Sequence, residues 1–164
     1  MEIRKLTKQD LTLRVDLLNN PEIARWLNVD EIFTLEKTEK WFSKIEPDKS
    51  RYDVVFLENS KVVGMGGLVN ISEKDQHGEL YIYMSVGQQG KGLGKMALSL
   101  LIDYSFKAYR LSKLFVYTFA ENERANMFYE SLNFKKEAHL KLHTYHQGEL
   151  KDRYIYSLFF EDWQ

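Results

Sequence analysis

Apolar and polar positions recur along the chain with two periods, and each change of period marks an element. Glu2–Leu6 alternates polar and apolar residues and predicts a short strand. Thr7 offers an N-cap, Asp10 stands where a capping-box acid would, and Leu11, Val15 and Leu18 follow at helical spacing until Asn19-Asn20-Pro21 ends the run. Pro21 to Leu27 predicts a second short helix, with its proline in the first turn. Thr34 to Glu46 predicts a longer one, capped by Thr34, with Leu35, Thr38, Trp41, Phe42 and Ile45 in one stripe. Asp53–Leu57 and Lys61–Leu68 predict a hairpin over Glu58-Asn59-Ser60, and Gly64, Gly66 and Gly67 point to a bulge or a close backbone contact. Ile71 to His77 reads as a polar turn. Glu79–Val86 is a strand with Leu80, Ile82 and Met84 on one face and Tyr81 and Tyr83 on the other. Leu93, Met96, Ala97, Leu100, Leu101 and Tyr104 then form the strongest helical stripe, one that faces a sheet. Leu114–Phe119 predicts a strand, Asn122–Leu132 a helix, and Phe134–Leu142 and Arg153–Phe160 two strands, with Gly148 in the turn between them. Strand–helix–strand in the middle requires a parallel pair with a right-handed crossover, whereas the flanking hairpins are antiparallel. The expected fold is a mixed α/β sheet with helices on its faces, in one domain over residues 1–164.

Composition narrows the function classes. The chain is 44% hydrophobic and 29% charged, which is ordinary for a soluble globule and not for a disordered tail. It has no cysteine, which excludes a disulfide framework, a thiolate metal site and a cysteine nucleophile. Lys+Arg 23 against Asp+Glu 24 leaves a net charge of -1, so no nucleic-acid partner is expected. No apolar run reaches a membrane span, and the mixed charges of MEIRKLTKQD do not read as a signal peptide. A soluble, cytoplasmic protein with no membrane partner is expected.

The most informative segment is Gly87-Gln88-Gln89-Gly90-Lys91-Gly92-Leu93-Gly94, which follows a strand and opens a helix. Such a junction gathers unpaired N–H groups and the positive end of the helix dipole at one point, a natural seat for a pyrophosphate. A flexible turn would need one glycine rather than four. The spacing is neither the Rossmann G-x-G-x-x-G nor G-x-x-x-x-G-K-[ST].

Gln89-Gly90-Lys91-Gly92-Leu93-Gly94 resembles Q/R-x-x-G-x-G/A, the acetyl-CoA pyrophosphate motif of the GCN5-related N-acetyltransferases (GNAT). Asn122-Glu123-Arg124-Ala125-Asn126-Met127-Phe128-Tyr129-Glu130-Ser131-Leu132-Asn133-Phe134 is similar to the family's N-x-x-A-x-x-[LF]-Y-[EK]-x-x-G-F, with Asn133 in place of glycine, the next best residue for positive φ. The resemblance implies a GNAT-like, mostly antiparallel sheet of about seven strands with a splayed parallel central pair and about four helices. It implies acetyl-CoA as co-substrate, no metal, and direct transfer of the acetyl group to a primary amine. Pantetheine would pair with the backbone of Met84, Ser85 and Val86. The pyrophosphate would rest on the N–H groups of Gln89, Gly90, Lys91, Gly92, Leu93, Gly94 and Lys95. Asn122 would touch the pantetheine arm, and Phe128 and Tyr129 would lie near the thioester.

Two proton problems come with that reaction. Deprotonating an alkyl ammonium at pH 7 costs about 4 kcal/mol, and the leaving thiolate must gain a proton. Tyr129 is the candidate acid, although a tyrosine on this helix could equally be core. Glu79 is the candidate base, or a solvated residue at a strand start, and the Met84 N–H is the candidate oxyanion donor. His139, His143 and His146 have helical ligand spacing, but a strand there puts only the first two on one face, so a metal site is not expected. Phe134-Lys135-Lys136-Glu137-Ala138 and Gln147-Gly148 through Asp152 loosely resemble the endings of the spermidine and RimJ/RimL-type branches. The acceptor stays open among a polyamine, a protein N-terminus and an amino sugar or antibiotic, because Asp30, Glu31 and Glu36 are interspersed with Lys37 and Lys40. The alternative is an acetyl-CoA-binding module without turnover. The aromatic C-terminus, with Tyr154, Tyr156, Phe159, Phe160 and Trp163, suggests a last strand paired across a homodimer, or one that closes the core.

Overall fold

Seven strands form one sheet in the order β1-β2-β3-β4-β5-β7-β6. The computed structural model describes residues 1–29, 31–88 and 90–163. The strands are β1 (Glu2–Lys5), β2 (Tyr52–Glu58), β3 (Lys61–Ser72), β4 (His77–Met84), β5 (Lys113–Phe119), β6 (Lys135–His146) and β7 (Glu149–Phe159). The helices are α1 (Leu11–Asn19), α2 (Pro21–Ala24), α3 (Leu35–Ile45), α4 (Leu93–Tyr109) and α5 (Glu123–Glu130). Among the described residues only β4 and β5 pair in parallel. One face of the sheet packs on α4 through Val54, Phe56, Leu68 and Leu80, with Ala97, Leu101 and Ile102 opposite. The other face packs Val55, Met65 and Tyr83 against Leu11, Leu18 and Phe42 of α1 and α3.

Local chemistry sets the joints. The Asp10 carboxylate accepts from the Thr7 N–H at 2.9 Å and from Arg4 at 2.8 Å through two nitrogens, so the turn after β1 is locked to the strand. Asn59 and Ser60 both take positive φ and make a two-residue turn between β2 and β3. The glycines of β3 serve close contact. A Cβ at Gly66 would lie 2.7 Å from the Tyr81 carbonyl and 3.0 Å from the Phe56 ring. The register also slips by one at Val63, so both expected devices are present.

Several expectations need correction. The turn at Ile71–His77 is shorter, because β3 continues to Ser72 and β4 begins at His77. The second helix stops at Ala24, after which the chain continues as turns, with Trp26 and Leu27 bonding back to Ile23 and Ala24. The buried face of α4 is Ala97, Leu98, Leu101, Ile102, Ser105 and Phe106, while Met96 is 49% exposed. The helix is thus turned by about one residue, roughly 100°, from the expected stripe. β6 and β7 extend to a two-residue turn at Gln147 and Gly148. The last strand does not lie at an edge: β7 is paired with β5 on one side and β6 on the other, which leaves it no edge for a second copy. Its Tyr156 and Leu158 close the core.

Candidate active site

β4 and β5 pair only from His77–Lys113 to Glu79–Phe115, then run on unpaired to Met84 and Phe119. The sheet therefore opens as a wedge with its apex at Glu79. The Ser85 N–H donates to the Val63 carbonyl at 2.8 Å, so the odd-numbered residues of β4 face β3. By alternation, Ile82 and Met84 turn their N–H and C=O groups into the wedge. These edge groups suit an extended ligand that adds itself as a strand. The expected register shifts accordingly. Met84 lines the wedge, but the Ser85 N–H faces β3, its carbonyl accepts from the Gln88 N–H at 3.1 Å, and Val86 already lies in the turn.

The glycine loop lies at the wedge's mouth. Gly87, Gly90 and Gly92 all have positive φ, and a Cβ at any of them would meet nothing within 4 Å. They are glycines because of backbone conformation, and the space beside them is open. The Gly92 carbonyl accepts from Lys95 N–H at 3.1 Å and Met96 N–H at 3.2 Å. The N–H groups of Gly90, Lys91, Gly92, Leu93 and Gly94 have no acceptor among the described residues. Five donors at a helix N-terminus fit a pyrophosphate. The Lys95 N–H is not one of them, and its Nζ donates to the Ser131 carbonyl at 3.1 Å. Gln89 lies outside the described residues. A Cβ at Gly94 would stand 3.6 Å from both Met84 and the Phe128 ring, so loop, wedge and α5 converge there.

α5 is positioned by two asparagines. Asn122 caps it, accepting from the Ala125 N–H at 3.1 Å, which leaves its amide nitrogen for a ligand. Asn126, which sequence reasoning missed, is buried; it accepts from the Thr118 hydroxyl at 2.6 Å and donates to the Ala120 carbonyl at 3.0 Å. It ties the helix to the end of β5. Asn133 takes φ 67, as its place at the helix end requires. Tyr129 is 7% exposed, with its ring 5.3 Å from Phe128, 5.5 Å from Phe134 and 6.5 Å from Tyr156. Its hydroxyl makes no hydrogen bond with a described residue. Burial pushes its pKa far above the usual phenol value, so it stays protonated.

Across the sheet, burial pushes the Glu79 pKa up, and the Asn70 amide at 2.7 Å and the charge of Arg153 offset only part of that. Arg153, also missed from sequence, is half-buried over Phe119 at 4.9 Å and Tyr117 at 5.2 Å. Further out on this face, Tyr81 donates to Asp53, which Arg51 grips through Nε and Nη2, both at 2.7 Å. Tyr83 accepts from Arg14 Nη1, and burial pushes its pKa to about 12. The Arg14 guanidinium lies 4.2 Å from the Trp41 ring. A sequence signal for Arg14 did exist, since it shares a helical face with Leu11 and Leu18.

The histidines are dispersed. His139 pairs with Asp152 at 2.6 Å, and His143 stacks on Tyr117 at 6.3 Å. His146 is buried, stacks on Phe119 at 4.8 Å and bonds to the Arg25 carbonyl at 3.0 Å. A bulge between Leu140 and Thr144 breaks the alternation expected of a plain strand. Among the described residues no group of His, Asp and Glu could hold a metal ion. The tail residues are structural. Glu137 bonds Lys113 at 2.7 Å and also the Ser157 hydroxyl, while Asp152 accepts from the Leu142 N–H at 2.8 Å inside the bulge.

A strand wedge that leads to a glycine-lined helix N-terminus defines an acyl-CoA-binding acetyltransferase fold. Residues 1–135 match the acetyltransferase (GNAT) domain model, and the chain belongs to that family. The N-acetyltransferase p20 of Bacillus licheniformis is 24% identical over 163 residues, covering 96% of this chain and 92% of that protein. The spermidine N(1)-acetyltransferase of Escherichia coli is 29% identical over 153 residues, 93% of this chain and 82% of that one. The crystal structure of spermidine N-acetyltransferase from Vibrio cholerae in complex with CoA and spermine superposes with a TM-score of 0.93 at 23% identity, covering 99% and 96% of the two chains. The reaction class is acetyl-CoA-dependent N-acetyl transfer.

Proposed function

We propose that residues 1–164 form one catalytic domain that transfers the acetyl group of acetyl-CoA directly to a primary amine while both are bound. The observation that carries this reading is the open wedge between β4 and β5, with the unpaired loop N–H groups at its mouth. Bound acetyl-CoA supplies the thioester. The Ile82 and Met84 edge binds the pantetheine amides and gives the thioester carbonyl a donor as its oxygen gains charge. Gly90 to Gly94 hold the pyrophosphate, and Asn122 and Phe128 flank the arm. Tyr129 donates the proton that the departing sulfur needs; its protonated hydroxyl, with no acceptor among the described residues, supports that role. Glu79, at the apex on the opposite face, takes the ammonium proton directly or through water, and the upward shift that burial gives its carboxylate makes it a stronger base, which supports that role. Acid and base then stand on opposite sides of the sheet, as attack and departure require.

The site of action is the cytoplasm, where acetyl-CoA is available. The homodimer expectation moves from β7 to the unpaired edge of β6, near which Leu142 and Tyr145 are exposed; sedimentation at micromolar concentration tests it. Thiol release from acetyl-CoA in the presence of a mixed amine panel tests the transfer. Acetyl-CoA binding with no release for any amine would favour the silent binding module instead.

A further inference from the structure

Arg14 is held in a way that leaves its recognition edge unused. Trp41 supports its face at 4.2 Å, and Nη1 donates to the Tyr83 hydroxyl. The remaining Nε and Nη2 donors have no acceptor among the described residues. Arg51, on the same side of the sheet, shows what that edge does when satisfied: its Nε and Nη2 each reach Asp53 at 2.7 Å. Arg14 has no such carboxylate within ion-pair distance among the described residues. It lines a cavity of about 140 Å³ with Glu31, Ile32, Phe33, Lys37, Thr38 and Trp41. The cavity's other charges cancel, since Lys37 pairs with Glu31 at 2.7 Å. Among the described residues one unmatched cation therefore remains, with its fork preset and its plane fixed. Through Tyr83 it is joined to the strand whose next residue, Met84, lines the wedge.

We infer that this cavity is a specificity subsite that grips a carboxylate on the amine acceptor, with Arg14 as the binding residue. The inference rests on the amine-transfer reading above and narrows it. A guanidinium fork matches a carboxylate with two parallel hydrogen bonds, and the ring beneath it keeps the geometry without a protein counter-ion. A polyamine end would meet a like charge here, so the subsite discriminates against the substrate class of the spermidine-acetylating relatives. The preferred acceptor is a primary amine with an anionic end at a fixed span, an amino acid-like molecule.

The test uses ω-amino acids of increasing methylene number, their carboxamides, and spermidine. Calorimetric titration into CoA-saturated protein reads the subsite without turnover, and thiol release from acetyl-CoA reads the transfer. We expect one chain length to bind and react roughly ten- to hundredfold better than its carboxamide, the gain of a charge-assisted pair. Arg14→Gln should collapse that ratio to near one, and Arg14→Lys should restore part of it. The acetyl-CoA thermal shift shows whether either variant remains folded. Wild-type protein that binds carboxamides or spermidine as well as the carboxylates would overturn the subsite, as would a preference untouched by Arg14→Gln. Carboxylate-selective binding without thiol release would leave the subsite standing and sink the transfer reading instead.

Discussion

Replacing Tyr129 by phenylalanine separates catalysis from packing because the hydroxyl has no bonding role inside the protein. The ring contacts with Phe128, Phe134 and Tyr156 all survive the change. The lost group is a hydroxyl with no described partner, so stability should move by no more than about 1 kcal/mol, with no hydrogen bond to forfeit. The chemical step should suffer far more. Loss of a general acid lowers kcat by roughly 10²–10⁴, about 3–5 kcal/mol in the barrier. KM for acetyl-CoA should stay nearly constant, because the ring still lines the site. Initial rates of thiol release and a thermal melt, run on the same preparations, check both parts. The alkaline limb adds a constraint. Burial pushes the Tyr129 ionisation far above its usual range, so any fall in rate below about pH 10, the ordinary phenol value, belongs to another group and should persist in Tyr129→Phe. A variant with full activity on its best amine would refute the acid role. Marked loss of stability with unchanged rate would make Tyr129 a core residue only.

Gly92→Val should abolish the rise in melting temperature that acetyl-CoA gives wild-type protein, while costing roughly 1–2 kcal/mol in backbone strain at φ 75. A folded variant with a normal acetyl-CoA shift would remove the loop from the binding site. Burial raises the Glu79 pKa, so the rate should fall as pH drops through a value above the usual 4.5, and Glu79→Gln should remove that limb. An unchanged acid limb in the variant would assign it to the amine itself. For Asp10, burial raises the pKa but is outweighed by the hydrogen bonds from Arg4 and Thr7, which leave it lowered. Its contribution is therefore present above the unfolded value of 3.8 and lost as pH falls through the folded one. Asp10→Asn should cost about 1–3 kcal/mol in urea melts at pH 7 and much less in strong acid. An equal deficit at both pH values would contradict the ion pair.

The order and type of the elements could be read from periodicity because each depends on neighbours in sequence. Leu80, Ile82 and Met84 alternate with Tyr81 and Tyr83, and the structure puts the two sets on the two cores. The buried face of α4 could not be read in the same way. Leu93, Met96, Leu98, Leu100, Ile102, Tyr104 and Phe106 surround most of its circumference, so the sheet decides which of them turn inward. The insertion of β7 between β5 and β6 is non-local and leaves no mark on the periodicity. The β6 bulge has a similar origin. Leu142 takes φ 48 where its N–H meets Asp152, ten residues away, and residues 141–143 stand against that one residue of β7 before pairing resumes at Thr144 and Lys151. His146, paired with Glu149, stays on the face of Leu140 and Thr144 and packs in the interior against Phe119.

Legibility of the site divides along the same line. The loop donors were visible because glycine spacing reports backbone conformation directly, and Gly87, Gly90 and Gly92 all show the positive φ that the pattern implies. Which strand residues face the wedge was not visible, because a hydrogen bond between Ser85 and Val63 sets that parity from the far side of β4. The acceptor side depends still more on residues remote in sequence: Arg14, Trp41 and Tyr83 come from three elements, and only their meeting fixes the cation. The residues that resemble the spermidine and RimJ/RimL-type endings, Glu137, Gly148 and Asp152, hold the β6–β7 arm in shape by ion pair, turn and bulge. A motif of that kind can be shared by enzymes that acetylate different amines, since it preserves the arm and leaves the acceptor cavity to other positions. The acceptor must therefore be argued from the charge at Arg14 rather than from the tail, and the two lead to different chemistry: the tail to a polyamine, the unmatched guanidinium to a carboxylate.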